Sequence, residues 1–504
     1  MKKITIILTL FFCLANFNGQ SQNLYDNQWI IGTDNTTIII DWKEDSIYKG
    51  AAKAPAYMRV SLSNANDAQG NFLYYTQGCA ILGKNYQVIP NGTQINPGEI
   101  HQQACGGGGS GSLGGYVAEN SGIFLPKPSD STFQYLFHTA MFDKYANETA
   151  FPPYKFYYTE IDTKKGNYGT VTKKNVLLIE DTLSYIGVLT CKHANGKDWW
   201  IIVPEFDTDG YYTALFTSKG VEYVGHQVFK AKRDRGPVDR RGQAIFSPDG
   251  SKYVRSDPVH GTYIYDFDRC TGKLSNLVFI DTLGFYACSG VCISPNSRYL
   301  YLSNRDVLHQ FDLFAPDIEK SKVKIADYDG FVTWFDTQAS FYKMALAPNG
   351  KIYMGTTNSS DVMHIIHNPD EKGLLCDFKQ HDLALPDIYY ISLPNFPNFR
   401  LGKKEGVICP SLVAVSDTKM PIFTAKLFPN PTKEKVVLTW DTYLEQEAAW
   451  ELYNQYGQLV FSHQVTLSTQ EAVIDISDIE NGVYFWKLNI KEKIGQSGKL
   501  VILK

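Results

Sequence analysis

The residues with the strongest chemical character fall in a few places. His193, Asp198, Trp199 and Trp200 gather around Asn195-Gly196, a turn that would bring an imidazole, a carboxylate and two indoles together. Arg233, Arg235, Arg240 and Arg241 crowd the stretch 230–241, KAKRDRGPVDRR, beside two aspartates. These eight side chains are the candidate ligand contacts, suited to a glycan or a protein surface. The plainer alternatives are turn chemistry with packed indoles for the first group and a solvated, self-paired loop for the second. Tyr154, Tyr157, Tyr158, Trp199, Trp200, Tyr211, Tyr212, Trp334 and Phe335 offer either a sugar-stacking platform or ordinary core.

Catalytic and metal signatures are weak. His364 and His367 stand three apart, so on a strand they point to opposite faces and make a poor metal pair. His226 and His260 flank the basic stretch with no evident partner. No HExxH, CxxC or GxSxG occurs. Ser247-Pro248-Asp249-Gly250 departs from the spacing of a sialidase Asp-box and lacks its Trp. The stretch 104–115, ACGGGGSGSLGG, lacks the Lys-Ser/Thr of a phosphate loop and leads into no helical pattern. It reads as a long loop between strands. No metal and no cofactor are expected.

The elements that must position these residues repeat. AIFSPDGSKYV at 244–254 recurs as VCISPNSRYLYL at 291–302 and MALAPNGKIYMG at 344–355. Each copy is an apolar run, a Pro-Asp/Asn-Gly/Ser turn and a second apolar run, which is a hairpin signal. Weaker copies turn near 70, 130 and 195. Third-strand candidates follow at 262–268, 307–313 and 363–368. A repeat of roughly 50 residues with several strands each indicates a β-propeller. Two further strands lie in 27–42, around Thr33-Asp34-Asn35. Joined to 391–401, ISLPNFPNFRL, they would complete a seventh blade and close the ring. Seven blades are expected, with six or eight as alternatives.

Length and composition frame this. With 504 residues, 32 Tyr, 29 Phe and 20 % charged residues, the chain suits a β-rich fold of more than one domain. A net charge of −4 gives no support to a nucleic-acid partner. Lys2 and Lys3 before the apolar run 4–15 read as a secretory signal over 1–21. Beyond it no apolar run is long enough to span a membrane as a helix, so no integral membrane segment is expected in the mature chain. In an exported protein the remaining cysteines permit disulfides. Proximity suggests Cys79 with Cys105, a pair among Cys270, Cys288 and Cys292, and Cys376 with Cys409. Buried free thiols are the alternative.

After a polar connector at 406–424, the texture changes to short alternating strands over 425–504, a small immunoglobulin-like β-sandwich. This segment resembles the type A C-terminal sorting domain of the type IX secretion system of Bacteroidetes. The resemblance is carried by LFPNP at 427–431, LYNQYGQ at 452–458, IENGVY at 479–484 and KLVILK at 499–504. It implies that Pro429, Asn430, Pro431, Gly457, Gly482, Tyr484 and Lys499 belong to the sorting signal. It also implies passage across both membranes by way of the type IX machinery, and residence at the cell surface or outside. The propeller, 22–405, is similar to uncharacterised WD-like or Tol-type surface propellers through 193–200 and its SPDG-type turns.

The expectation is therefore an all-β protein that works by binding or adhesion and recognises a glycan or surface protein. An extracellular glycan hydrolase or lyase, and a structural component for gliding or attachment, are the alternatives.

Overall fold

The computed structural model describes residues 23–409 and 425–504, apart from 34–35, 51–57, 59–61, 107–114, 117–119, 142–151, 207, 230–241, 259, 282–288, 392, 441–446, 467–468, 470 and 491–492. The proposed signal segment, most of the glycine-rich loop, the basic loop with its four arginines, Cys288 and the 34–35 turn lie outside the described residues.

Between Gln28 and Tyr389 the described chain forms seven antiparallel sheets in succession. The first two have three strands each and the next five have four. The inner strands are mostly apolar and buried on both sides because sheets pack on both of their faces. Trp199–Pro204, Tyr299–Asn304 and Ile352–Thr356 are buried at every position. The outermost strands have one wet face and alternate with period two. Gly220–Val228 is an example.

Apolar clusters run between neighbouring sheets all the way round. Tyr74 of the second sheet packs with Phe124 of the third, and Trp199 of the fourth with Phe137 of the third. Trp200 of the fourth joins Tyr265 of the fifth, Val254 of the fifth joins Leu302 of the sixth, and Tyr301 of the sixth joins Met354 of the seventh. One cluster then unites Trp29 of the first sheet, Tyr75 of the second and Tyr353 and Met363 of the seventh. The architecture is a propeller, all-β as expected.

The six predicted turns all join the first strand of a sheet to its second. Their chemistry repeats. Asp249 Oδ1 accepts from Ser247 Oγ at 2.6 Å and Ser251 N at 2.9 Å, and Gly250 takes φ 71°. Asn296 accepts likewise from Ser294 Oγ at 2.6 Å and Arg298 N at 3.0 Å, with Ser297 at φ 61°. Asn349 and Asn195 make the same bond to the N–H two residues on. The recurrent Asp/Asn closes the turn and the next residue absorbs the left-handed backbone.

Ring closure differs from expectation. The segment 391–401 does not enter a ladder with 27–42; Gln28–Gly32, Thr37–Asp41 and Ser46–Lys49 form a sheet by themselves. Pro394 and Pro397 have no N–H to give a neighbour, which breaks the ladder. Just before the segment Tyr390 N donates to Gly32 O at 3.0 Å, and within it Leu393 packs into the cluster of Trp29 and Ile30. Beyond it the chain turns into the central channel and plugs it. Asn395 Nδ2 donates to Val188 O at 2.9 Å, and Asn398 Nδ2 donates to Pro248 O at 2.7 Å. Arg400 grips Asp26 with two bonds of 2.7 and 2.6 Å. Asparagine amides thus supply the bonds that the prolines cannot.

The disulfides also differ in part. Cys79 is bonded to Cys105, at the end of a short helix, Glu99–Cys105, that the sequence pattern did not suggest. Cys270 pairs with Cys409, neither with Cys288 or Cys292 nor leaving Cys409 for Cys376. Cys292 and Cys376, with Cys191, are buried free thiols. Cys270 and Cys409 meet because the plug carries the tail of the propeller back across the fifth sheet.

The C-terminal unit packs a three-stranded sheet (Ala425–Phe428, Lys435–Trp440, Glu471–Asp475) on a four-stranded one (Leu459–Thr466, Glu447–Tyr453, Gly482–Ile490, Lys493–Ile502). Trp450, Leu452, Val436, Ile474 and Leu488 fill its core.

Candidate functional site

The ring has two faces. The six hairpin turns and the plug lie on one, here the plugged face. The segments that pass between sheets, and the turns between second and third strands, lie on the other, the open face.

The predicted cluster at 193–200 sits on the plugged face and is knitted into it. His193 Nε2 lies 3.2 Å from Cys270 O, and its Nδ1 accepts from Asn195 N at 3.0 Å. Asp198 Oδ2 accepts from Asn195 Nδ2 at 2.6 Å. Trp200 Nε1 donates to Arg269 O at 2.7 Å, while the Trp199 ring meets Phe399 of the plug edge-on at 5.5 Å. Trp199 and Trp200 are 2 % and 0 % exposed, so neither offers a ring face to a ligand. The fit is close enough that a Cβ on Gly272 would lie 2.6 Å from the Trp200 ring. Arg233, Arg235, Arg240 and Arg241 lie outside the described residues.

The residue that sequence reasoning missed here is Arg269. Its buried guanidinium donates to Lys192 O at 2.9 Å, His193 O at 3.3 Å and Gly402 O at 2.5 Å. It therefore joins the fourth sheet, the fifth sheet and the plug. Gln243 does similar work in the channel. Its Oε1 accepts from Val291 N at 3.1 Å and Met344 N at 3.0 Å, and its Nε2 donates to Met344 O at 2.7 Å, tying three sheets together. Under the plug remains a cavity of about 350 Å³, bordered by Gln243, Cys292, Lys343 and Asn395.

The open face holds side chains of a different kind. His226 and His260, which looked unpartnered in sequence, both have partners. His226 Nε2 lies 3.2 Å from Glu205 Oε2 and its ring stacks on Tyr212 at 4.2 Å. Thr208 Oγ1 donates to the same Glu205 oxygen at 2.7 Å, and the Tyr212 hydroxyl donates to Asp181. Burial and the adjacent Asp181 push the Tyr212 phenol well above its ordinary range. A Cβ at Gly210 would lie 2.0 Å from Glu205 Oε2, so any other residue there would push the carboxylate out of this arrangement. His260 Nδ1 lies 3.3 Å from Asp257 Oδ1.

His364 and His367 separate as their spacing dictates. His364 is buried between Ala339 O at 2.9 Å and His381 N at 3.0 Å, and burial pushes its imidazole down to about 4. His367 pairs with Asp382 at 2.8 Å. Near the His381–Asp329 pair the chain forms a small hairpin whose tip raises Trp334, 78 % exposed. Tyr157 and Tyr211, weighed for the same stacking role, are buried. The signal that could have singled out Trp334 is its place in 328–340, where polar residues and glycine interrupt the apolar pattern.

In the C-terminal unit the four sequence blocks converge on one end of the sandwich. Asn430 Nδ2 donates to Lys499 O at 2.8 Å and its Oδ1 accepts from Val501 N at 2.9 Å. Asn481 Oδ1 accepts from Lys504 N at 2.7 Å, and the Tyr484 hydroxyl donates to Glu480 O at 2.9 Å. Gly457, at φ 76°, forms the turn of the neighbouring hairpin. Pairing of Tyr453 with both Leu459 and Phe485, and of Val483 with Val501, sets a row of exposed apolar side chains beside that end.

Residues 426–503 match the secretion system C-terminal sorting domain family. No curated protein matches the chain. Among solved structures it is similar to a protein from Lactobacillus plantarum (13 % identity, 73 % of this chain and 99 % of that one, TM-score 0.39). It is similar to the Dos1 propeller (10 % identity, 72 % and 82 %, TM-score 0.39). A periplasmic gluconolactonase from Pseudomonas aeruginosa is a third (10 % identity, 89 % and 98 %, TM-score 0.37). The chain thus carries a type IX sorting domain behind a propeller, and that domain directs it to the cell surface or the medium.

Proposed function

We propose that the protein is an extracellular binding module, a ring of seven blades that presents its open face to a glycan or a surface protein. The observation behind this reading is the plug. It fills the channel from one side and is fixed by Arg400, Arg269 and the Cys270–Cys409 bridge, which closes a stretch of 139 residues. A scaffold stiffened on one face leaves the other to carry recognition, as rigid platforms with variable loops commonly do. A screen of the secreted protein against glycans and surface-protein fractions tests this. Saturable capture of a member of either set is expected, and capture of none contradicts the reading.

A second reading is a hydrolase or lyase acting at the open face. It is favoured by the Glu205–His226 pair with Tyr212 and Asp181 behind it, because a carboxylate beside an imidazole can relay a proton. Turnover of a captured glycan that is lost in Glu205→Gln would support it over the first.

For export, we propose that the secretion machinery reads the end of the sandwich where the four blocks converge, with Leu459, Val483 and Phe485 as its apolar contacts. Removal of 425–504 should leave the propeller in the periplasm. Phe485→Lys should reduce secretion while the sandwich still folds, since this side chain is 48 % exposed.

A further inference from the structure

Resting on the binding reading above, we propose that Trp334 is the stacking platform of a site for a neutral glycan on the open face. The hairpin that carries it is stiff. Val332 bridges Gln338. Thr333 N donates to Thr337 O at 2.8 Å, Asp336 N donates to Thr333 O at 3.0 Å, and the two threonine hydroxyls lie 2.8 Å apart. The base is anchored to the neighbouring loops: Thr337 Oγ1 donates to Ser359 O at 2.8 Å, Asn358 Nδ2 to Gln338 O at 3.2 Å, and Arg305 Nη2 to Gln338 Oε1 at 2.5 Å. The backbone that carries the indole is thereby fixed before any ligand arrives, which lowers the ordering cost of binding.

The exposure of this ring is exceptional among the described tryptophans, of which Trp42 is half-buried. Trp29, Trp199, Trp200, Trp440, Trp450 and Trp486 are no more than 4 % exposed, against 78 % for Trp334. Phe335 buttresses it edge-on at 5.1 Å and 85°, leaving the indole outward. An indole buries roughly 150–250 Å² when covered, so a rigid tip that leaves it wet gives up a large stabilisation.

The surroundings select the partner. A stable protein interface needs about 800 Å² on each side, with an apolar core. Here a single indole and the exposed Val332 stand on a hairpin that also carries Asp336 and Gln338. Arg305 and Asn358 are bonded to its base at Gln338, with Asp306 next to Arg305. That is the pattern for a pyranose: its C–H face lies on the indole and its hydroxyls bond to carboxylates and amides at the rim. Charge narrows the class. Arg305 keeps its positive charge although it bonds the neutral Gln338, but Asp306 and Asp336 outnumber it, so the local balance is negative and a neutral sugar fits better than a uronate.

The test titrates the purified secreted protein with cellohexaose, mannohexaose and a hexamer of galacturonate, followed by tryptophan emission and calorimetry. At least one neutral hexamer should bind saturably with a blue shift, and the galacturonate hexamer at least about tenfold more weakly. Trp334→Ala should weaken binding by about tenfold or more with no change in melting, and Trp334→Phe by less than about fivefold. Full-strength binding by Trp334→Ala, preference for galacturonate, or no response to either neutral hexamer would overturn the assignment. A protein captured through the open face in that last case would leave the broader binding reading standing.

Discussion

Asp249 is the clearest single-residue case. Burial alone would raise its carboxyl, but hydrogen bonds from Ser247, Ser251 and Ser297 outweigh it and hold the group below its usual value. A carboxyl depressed in the folded state stabilises fully above its unfolded pKa of about 4 and loses that contribution as pH falls through the folded value. Acid unfolding of the propeller should therefore be blunted in Asp249→Asn, at a cost near neutral pH of about 1–2 kcal/mol; a melting series from pH 7 to pH 2 reads both. Arg269 should matter more. Arg269→Ala strands several buried carbonyls at once and should cost about 3 kcal/mol in denaturant unfolding. The turn residues were legible in sequence because Asp/Asn-Gly chemistry is local. Arg269 and Gln243 were not, because their partners lie far off in the chain, 133 residues away at Gly402 and 101 at Met344.

At the scale of elements, the strands and their six hairpins could be read directly, since apolar runs and turn residues mark them. The last element was misjudged. ISLPNFPNFRL was recognised as the piece that completes the ring, and Leu393 does pack on Trp29 as closure requires. Its two prolines, visible all along, convert a ladder strand into a plug held by side-chain amides. The disulfide error has the same root: Cys409 lies beside Cys270 only because the plug turns back across the channel. Replacing Cys270 and Cys409 by serine frees a stretch of 139 residues and should lower stability by about 3–5 kcal/mol. Calorimetry should find the propeller transition shifted and that of the sandwich unmoved. The convergence of LFPNP, the Asn-Gly turn and the final strand could not be foreseen from order along the chain, because only the sheet pairing brings them to one end.

For the whole molecule, the proposed function amounts to a division of labour: the plugged face stiffens the ring, the open face would carry recognition, and the C-terminal sandwich delivers the whole to the outside. The reading depends most on which face is used. The decisive measurement attaches a bulky polyethylene glycol to one face at a time and records capture of whichever ligand the screen identifies. Asp336→Cys places the label on the open face beside Trp334, and Glu371→Cys places it on an exposed loop of the plugged face. Capture should be abolished by the label at position 336 and unchanged by the label at 371. Loss of capture at 371 with full capture at 336 would contradict the account.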